Sequence, residues 1–138
     1  MQLQERLEVR SPGRGLHEVT QAVAGVVARS GVTTGLCVVF CPHTSASLLL
    51  QENADPSARA DLVAWLGRLA PDGDPRYRHD TEGPDDMAAH LRSAVTRSSE
   101  TIPVANGRLS LGTWQGIYLA EHRTVPHRRT LVVHVLGE

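Results

Sequence analysis

A chain of 138 residues is one domain's worth of polypeptide, long enough to bury a single core. Its 41% apolar and 21% charged content is that of an ordinary soluble globule, and a net charge of -1 supplies no bulk basicity for holding nucleic acid. Aromatics make up only 4%, too few to stack single-stranded bases, and all fourteen basic residues are arginine, which excludes lysine Schiff-base and P-loop-lysine chemistry.

Cys37 and Cys41 are the only cysteines. Four apart in a predicted strand, their Cα atoms would be roughly 13 Å apart, beyond disulfide reach. They read as two small buried hydrophobes. The N-terminus carries no apolar core of a signal peptide, and no apolar run approaches a membrane span. The expectation is a reducing, cytoplasmic setting and no membrane partner.

Taken in order, Gln2–Val9 reads as a strand with Leu3, Leu7 and Val9 on one face. Ser11-Pro12-Gly13 and Gly15 make a turn. The spacing of Leu16, Val19, Val23, Val26 and Val27 predicts a helix over 16–30, with Gly31 as its C-cap. Leu36–Cys41 is a continuous apolar run, a central strand stopped by Pro42. Leu48-Leu49-Leu50 continues as a second strand toward Gln51-Glu52-Asn53. Asp55-Pro56 opens a second helix, whose stripe is Leu62, Trp65, Leu66 and Leu69.

A polar stretch follows, His79-Asp80-Thr81-Glu82-Gly83-Pro84-Asp85-Asp86-Met87-Ala88-Ala89-His90. It holds two histidines and four carboxylates. Pro84 with Asp85 and Asp86 opens a third helix, whose buried face is expected to be Met87, Leu91, Ala94 and Val95. Thr101–Val104, Asn106-Gly107 and Leu109–Leu111 form a hairpin with a type I′ turn. Gly112-Thr113-Trp114-Gln115-Gly116 interrupts the sheet, Ile117–Glu121 resumes it, and Leu131–Leu136 is a last strand. Strands segregated from helices argue for α+β, with mainly antiparallel sheets and about three helices over residues 1–138. The strands outnumber the faces that three helices can cover, so a second sheet or a subunit interface must cover the rest.

Four groups of residues can carry chemistry. His43 at a strand end, His79 in a loop and His90 on a helix are separate in sequence. Three imidazoles with an open fourth position are a catalytic zinc arrangement, but lone histidines are more often merely exposed or singly bonded. Asp80, Glu82 and Asp86 would orient such ligands or act on bound water. Thr44, Ser45 and Ser47 offer hydroxyls suited to phosphate oxygens or simply to a turn. Glu52 and Asn53 reach a site only if the strand before them lines it. Thr113 and Gln115 lie in a glycine-flanked break of the kind that admits a ligand.

Taken together, the chain resembles the YjbQ family, also called UPF0047 or the secondary thiamine-phosphate synthase family. The resemblance rests on His43-Thr44-Ser45-Ala46, Glu52-Asn53-Ala54-Asp55-Pro56, His79-Asp80 with Glu82-Gly83, and Asp86-Met87 with Ala89-His90. It continues through Ile102-Pro103-Val104, Leu109, Leu111-Gly112-Thr113-Trp114-Gln115, Glu121-His122-Arg123 and Gly137-Glu138. It implies two packed sheets in a homotrimer, and a divalent metal, zinc, held by His43, His79 and His90. It also implies the joining of a hydroxymethylpyrimidine diphosphate to a thiazole phosphate with loss of pyrophosphate. On that expectation Thr44, Ser45 and Arg128 or Arg129 hold the diphosphate, and Glu82, Asp86 or Glu121 positions water or ligand. The rival expectations are a hydrolase of a small phosphorylated substrate, with Glu82 as base on metal-bound water, and a trimer that binds metal or phosphate ligands without turnover.

Overall fold

The computed structural model describes all residues from Met1 to Glu138. Eight strands and three helices follow the order β1(Gln2–Ser11), β2(Gly15–Glu18), α1(Thr20–Ser30), β3(Gly35–Phe40), β4(Ala46–Glu52), α2(Pro56–Leu69), α3(Asp86–Ala94), β5(Ser99–Ala105), β6(Arg108–Leu109), β7(Gln115–Glu121) and β8(His127–Gly137). They form a five-stranded sheet, β1-β8-β3-β5-β6, and a three-stranded sheet, β2-β7-β4. Every pairing is antiparallel. This is the expected α+β class with two sheets.

Strand alternation sets the layers. Cys37, Val39, Leu131, Val133 and Val135 of the large sheet join Leu48, Ile117 and Leu119 of the small one and Val23, Val26 and Val27 of α1 in one buried cluster. β7 is buried on both faces, from Gly116 to Glu121. Ile117 and Leu119 face that core. On the other parity Tyr118 meets Arg59 of α2, and His122, just past the strand, reaches Ser47. Both cysteines are buried and free, and burial pushes each thiol up to about 11.

Local signals mark several boundaries. The Asp55 carboxylate accepts from Ser57 N at 2.9 Å with Pro56 beside it, as the proline-led start predicts. Asn106 and Gly107, at φ 52° and 74°, form the mirror-image turn of the β5–β6 hairpin. Three expectations need correction. Residues 15–18 are a strand, not the first turn of α1, because they pair with Tyr118–Glu121. On α2 only Leu66 of the predicted stripe is fully buried; Trp65 and Leu69 lie more than half exposed. On α3 the buried residues are Asp86, Ala88, Ala89 and Arg92, while Val95 is 57% exposed. Small alanines let the helix approach closely, and ion pairs offset the burial of the two charges.

The outer face of the large sheet has no helix over it. Leu36, Phe40 and Leu136 are 43%, 45% and 40% exposed there, beside half-buried Val38 and Val132.

Candidate metal centre

Asp86 stands on the first turn of α3, and a negative side chain suits that end of a helix. His90 follows one turn later on the same face. His79 arrives from the preceding loop, whose return is shaped by Gly83 at φ 102°. Asp86 Oδ2 lies 2.8 Å from His79 Nε2 and 3.3 Å from His90 Nε2. The ligand atoms of all three lie within 4.8 Å of one another. Asp86 Oδ1 accepts from Arg123 Nη1 at 2.8 Å. Burial favours the neutral form of Asp86, but His90, His79 and Arg123 outweigh it and hold its carboxyl below the ordinary carboxylate range.

The donor set fits a divalent cation for a reason visible at His90. Its Nδ1 lies 2.9 Å from the carbonyl oxygen of Thr44. A carbonyl only accepts, so Nδ1 carries the proton. Neutral His90 then presents the Nε2 lone pair to the Asp86 carboxylate, two acceptors facing each other. A second proton or a metal ion between them resolves that clash. The bond from Nδ1–H to a backbone carbonyl is also how metal-ligating imidazoles are commonly oriented. Zinc with N and O ligands at about 2.1 Å separates tetrahedral ligand atoms by about 3.4 Å. The His90–Asp86 spacing already matches, while half-exposed His79, at 2.8 Å from Asp86, would have to draw back from it.

Arg123 closes the back of the site. It donates from Nε to Asp85 Oδ2 at 3.0 Å and from Nη2 to the carbonyl of Glu82 at 2.9 Å. Asp85 also accepts from the amide and hydroxyl of Thr124. Burial would raise the Asp85 carboxyl; these partners overcome it and hold it at about 2. A hollow of about 320 Å³ opens beside His79, lined in part by Gly73, Asp74, Pro75, Tyr77 and Met87.

The other expected site residues lie as follows. His43 is not in the three-donor group. The β3–β8 ladder ends at Phe40↔Val132, and Pro42 has no N–H; His43 Nε2 accepts from Thr130 N at 2.9 Å just beyond that end. The three-donor group contains Asp86, to which the resemblance gives the positioning of water or ligand, and does not contain His43. Thr44 contributes its backbone carbonyl. Ser45 Oγ accepts from Arg129 Nη2 at 3.0 Å. Glu121 is buried with both oxygens committed: Ser11 Oγ and Arg129 Nε donate to one, Arg123 N and Arg129 Nη2 to the other. These bonds tie β1, β7 and β8 together. Glu82 is exposed, with its backbone carbonyl bound by Arg123.

Glu52, Asn53, Thr113 and Gln115 belong to the opposite end of the β4–β7 pair, about 20 Å along the strands from Ala46. Glu52 accepts from Asp55 N, Asn53 donates to Glu18, and Gln115 accepts from Gly112 N. Within one chain the structure does not bring these four to the histidines. Arg128 lies exposed at the end of β8.

Ser47 and His122, 2.8 Å apart, are not a nucleophile pair. Thr96 Oγ1 donates to the carbonyl of Arg92, so Ser47 donates to Thr96 and accepts from His122 Nε2. The protons run away from His122, and Ser47 is completely buried.

Comparison with known proteins agrees with this fold. A family model described as "UPF0047 protein YjbQ-like" matches residues 5–138. UPF0047 protein sll1880 of Synechocystis sp. is 56% identical over 99% of this chain and 93% of its own length. UPF0047 protein YjbQ of Escherichia coli O157:H7 is 40% identical, with both chains covered in full. Among solved structures, the conserved hypothetical protein TT1486 from Thermus thermophilus is 39% identical with a TM-score of 0.86, covering 96% of this chain and 99% of that one. With the family model spanning nearly every residue and relatives of this identity, the chain belongs to the YjbQ, or UPF0047, family.

Proposed function

We propose that the protein is a divalent-metal enzyme, with zinc the metal expected, acting on small phosphorylated substrates. The reaction is the thiamine-phosphate synthase chemistry that the family resemblance implies. The observation that carries this reading is the His79–Asp86–His90 donor set beside an open hollow, with His90 Nε2 and Asp86 Oδ2 facing each other.

His79, Asp86 and His90 would hold the ion. It would supply Lewis-acid stabilisation of charge gathering on the leaving oxygens. Arg123 keeps Asp86 ionised and fixed. Tyr77, anchored by its hydroxyl to the carbonyl of Pro71, gives the hollow a rigid wall. In the reaction the thiazole nitrogen forms a bond to the pyrimidine methylene carbon as the bond from that carbon to the diphosphate breaks. Pyrophosphate leaves with the electron pair. The attacking nitrogen carries no proton to remove, so no general base is needed, in keeping with the commitment of Glu121 to Arg129.

The same reading takes the molecule as a homotrimer in the cytoplasm. The uncovered strip of Leu36, Phe40 and Leu136 supports self-association, and two reduced, buried thiols are compatible with that compartment. No helix is long and apolar enough to cross a membrane.

Single-turnover mixing of the two precursors tests the reaction, comparing wild type with Asp86→Asn and His90→Ala. Coupled product from wild type alone supports it. Equal product from all three proteins sinks it. Pyrophosphate release without the thiazole partner would make the protein a hydrolase instead.

A further inference from the structure

We infer that a second, separate site binds the phosphate group of a small molecule in the hollow between the ends of β1 and β8, through Arg10, Arg128 and His127. The hollow measures about 250 Å³ and is lined by Arg10, Ser11, Pro126, His127 and Arg128.

The strand register creates the site. Arg10 and Arg128 are direct partners across the β1–β8 ladder, so their side chains leave the same face of the sheet. Like charges directly opposite each other repel and cost stability. The fold supplies little to offset this. Glu8 approaches both arginines with the same oxygen, Oε1, at 3.6 Å from each Nε, beyond hydrogen-bond range. Neither guanidinium makes a hydrogen bond within the chain, so their planar donor forks remain free for an oxyanion. This differs from Arg14, Arg29, Arg76, Arg123 and Arg129, each engaged by a carboxylate at bonding distance.

His127 adds a third arm. Its Nδ1 lies 2.8 Å from the carbonyl of Val125 and therefore donates to it, which fixes the ring and leaves Nε2 unengaged. Two free guanidinium forks leave one face together, and His127, at the next register position, lines the same hollow, so a phosphate group there can accept from several donors. A diffuse basic patch would lack both the shared register position and the hollow.

The hollow also connects to the metal centre. Ser11 donates to Glu121, Glu121 pairs with Arg129, and Arg129 donates to Ser45, the neighbour of the Thr44 carbonyl that orients His90. The inference stands without any metal at His79, Asp86 and His90, and its test is run on metal-free protein.

Inorganic phosphate is titrated into the full chain at constant ionic strength, following the arginine Nε–H and backbone amide signals by NMR. Saturable shifts are expected at Arg10, His127 and Arg128, with sodium chloride producing none. Arg10→Ala and Arg128→Ala should each bind at least about tenfold more weakly, the loss expected for a charged hydrogen bond. Arg6→Ala, on the same face but opposite Val132, should bind as wild type does. Both substituted arginines are solvent-facing, so folding is not at issue. Non-saturating shifts reproduced by chloride would overturn the site. Equal weakening by Arg6→Ala would reduce it to a diffuse field. Loss of binding in His90→Ala would move the phosphate to the metal centre and overturn the second site alone.

Discussion

Arg123 and Asp86 form a 2.8 Å ion pair through the one carboxylate oxygen that the two imidazoles leave free. The same guanidinium grips Asp85 and the Glu82 carbonyl, so a single side chain fixes the loop, the start of α3 and the candidate ligand together. Arg123→Gln keeps length and some donors but removes the charge. It should weaken zinc about 10- to 100-fold, the usual effect of losing a ligand's supporting partner. Competition with a chromogenic chelator measures this. Asp85 and Asp86 are nearly buried, and removing the guanidinium they share should cost about 3 kcal/mol in a denaturant melt. Unchanged metal affinity would remove Arg123 from the site.

His43 and Asp86 give a sharper contrast. The family resemblance makes His43 a ligand, whereas the geometry makes it the acceptor for an N–H at a ladder's end. His43→Ala should retain bound metal after purification and lose about 1–2 kcal/mol of stability by leaving Thr130 N without its partner. Asp86→Asn should do the reverse for metal, losing it. Elemental analysis of both variants beside wild type decides. A metal-free His43→Ala protein would restore the three-histidine arrangement.

Much of the fold was legible because its signals are local. Alternation marked β1 and β8, Asp55-Pro56 marked the start of α2, and Asn106-Gly107 marked the hairpin. β2 was not legible, because Leu16, Val19 and Val23 also satisfy helical spacing. Only pairing with β7 distinguishes the two. The buried face of α3 was misassigned for a related reason. Met87, Leu91 and Val95 look like core, while Asp86 and Arg92 look solvated until their partners, Arg123 and the Ala70 carbonyl, are known. The candidate metal centre was half legible. His79 and His90 stood out as unusual residues in one polar stretch. Arg123 lies 37 positions from Asp86, and nothing local to it announces the pairing.

The uncovered sheet face predicts assembly. Phe40 and Leu36 stand on β3, the middle strand of the sheet, with large exposed apolar surfaces. Light scattering should give three times the chain mass of 15.0 kDa. Phe40→Asp should shift the protein toward monomer, since a charge at the centre of an apolar interface is strongly disfavoured. Its outward direction leaves the core of the single chain intact. A wild-type mass of one chain would rule out the trimer.

His122 predicts a pH dependence of stability. Burial, with help from Arg92, pushes its pKa down to about 4. An unfolded histidine titrates near 6.5. Above 6.5 both states are neutral and His122 contributes its full stability. As pH falls from 6.5 toward 4, the unfolded chain takes up a proton that the folded chain refuses, so stability declines; below about 4 the folded state binds it too and the loss levels off. The displacement corresponds to about 3 kcal/mol at most. His122→Gln retains an amide N–H for the Ser47 hydroxyl but has no proton to gain. Urea melts between pH 7 and pH 4 should show a shallower decline for His122→Gln than for wild type. Parallel declines would mean that His122 does not set the acid sensitivity of the fold.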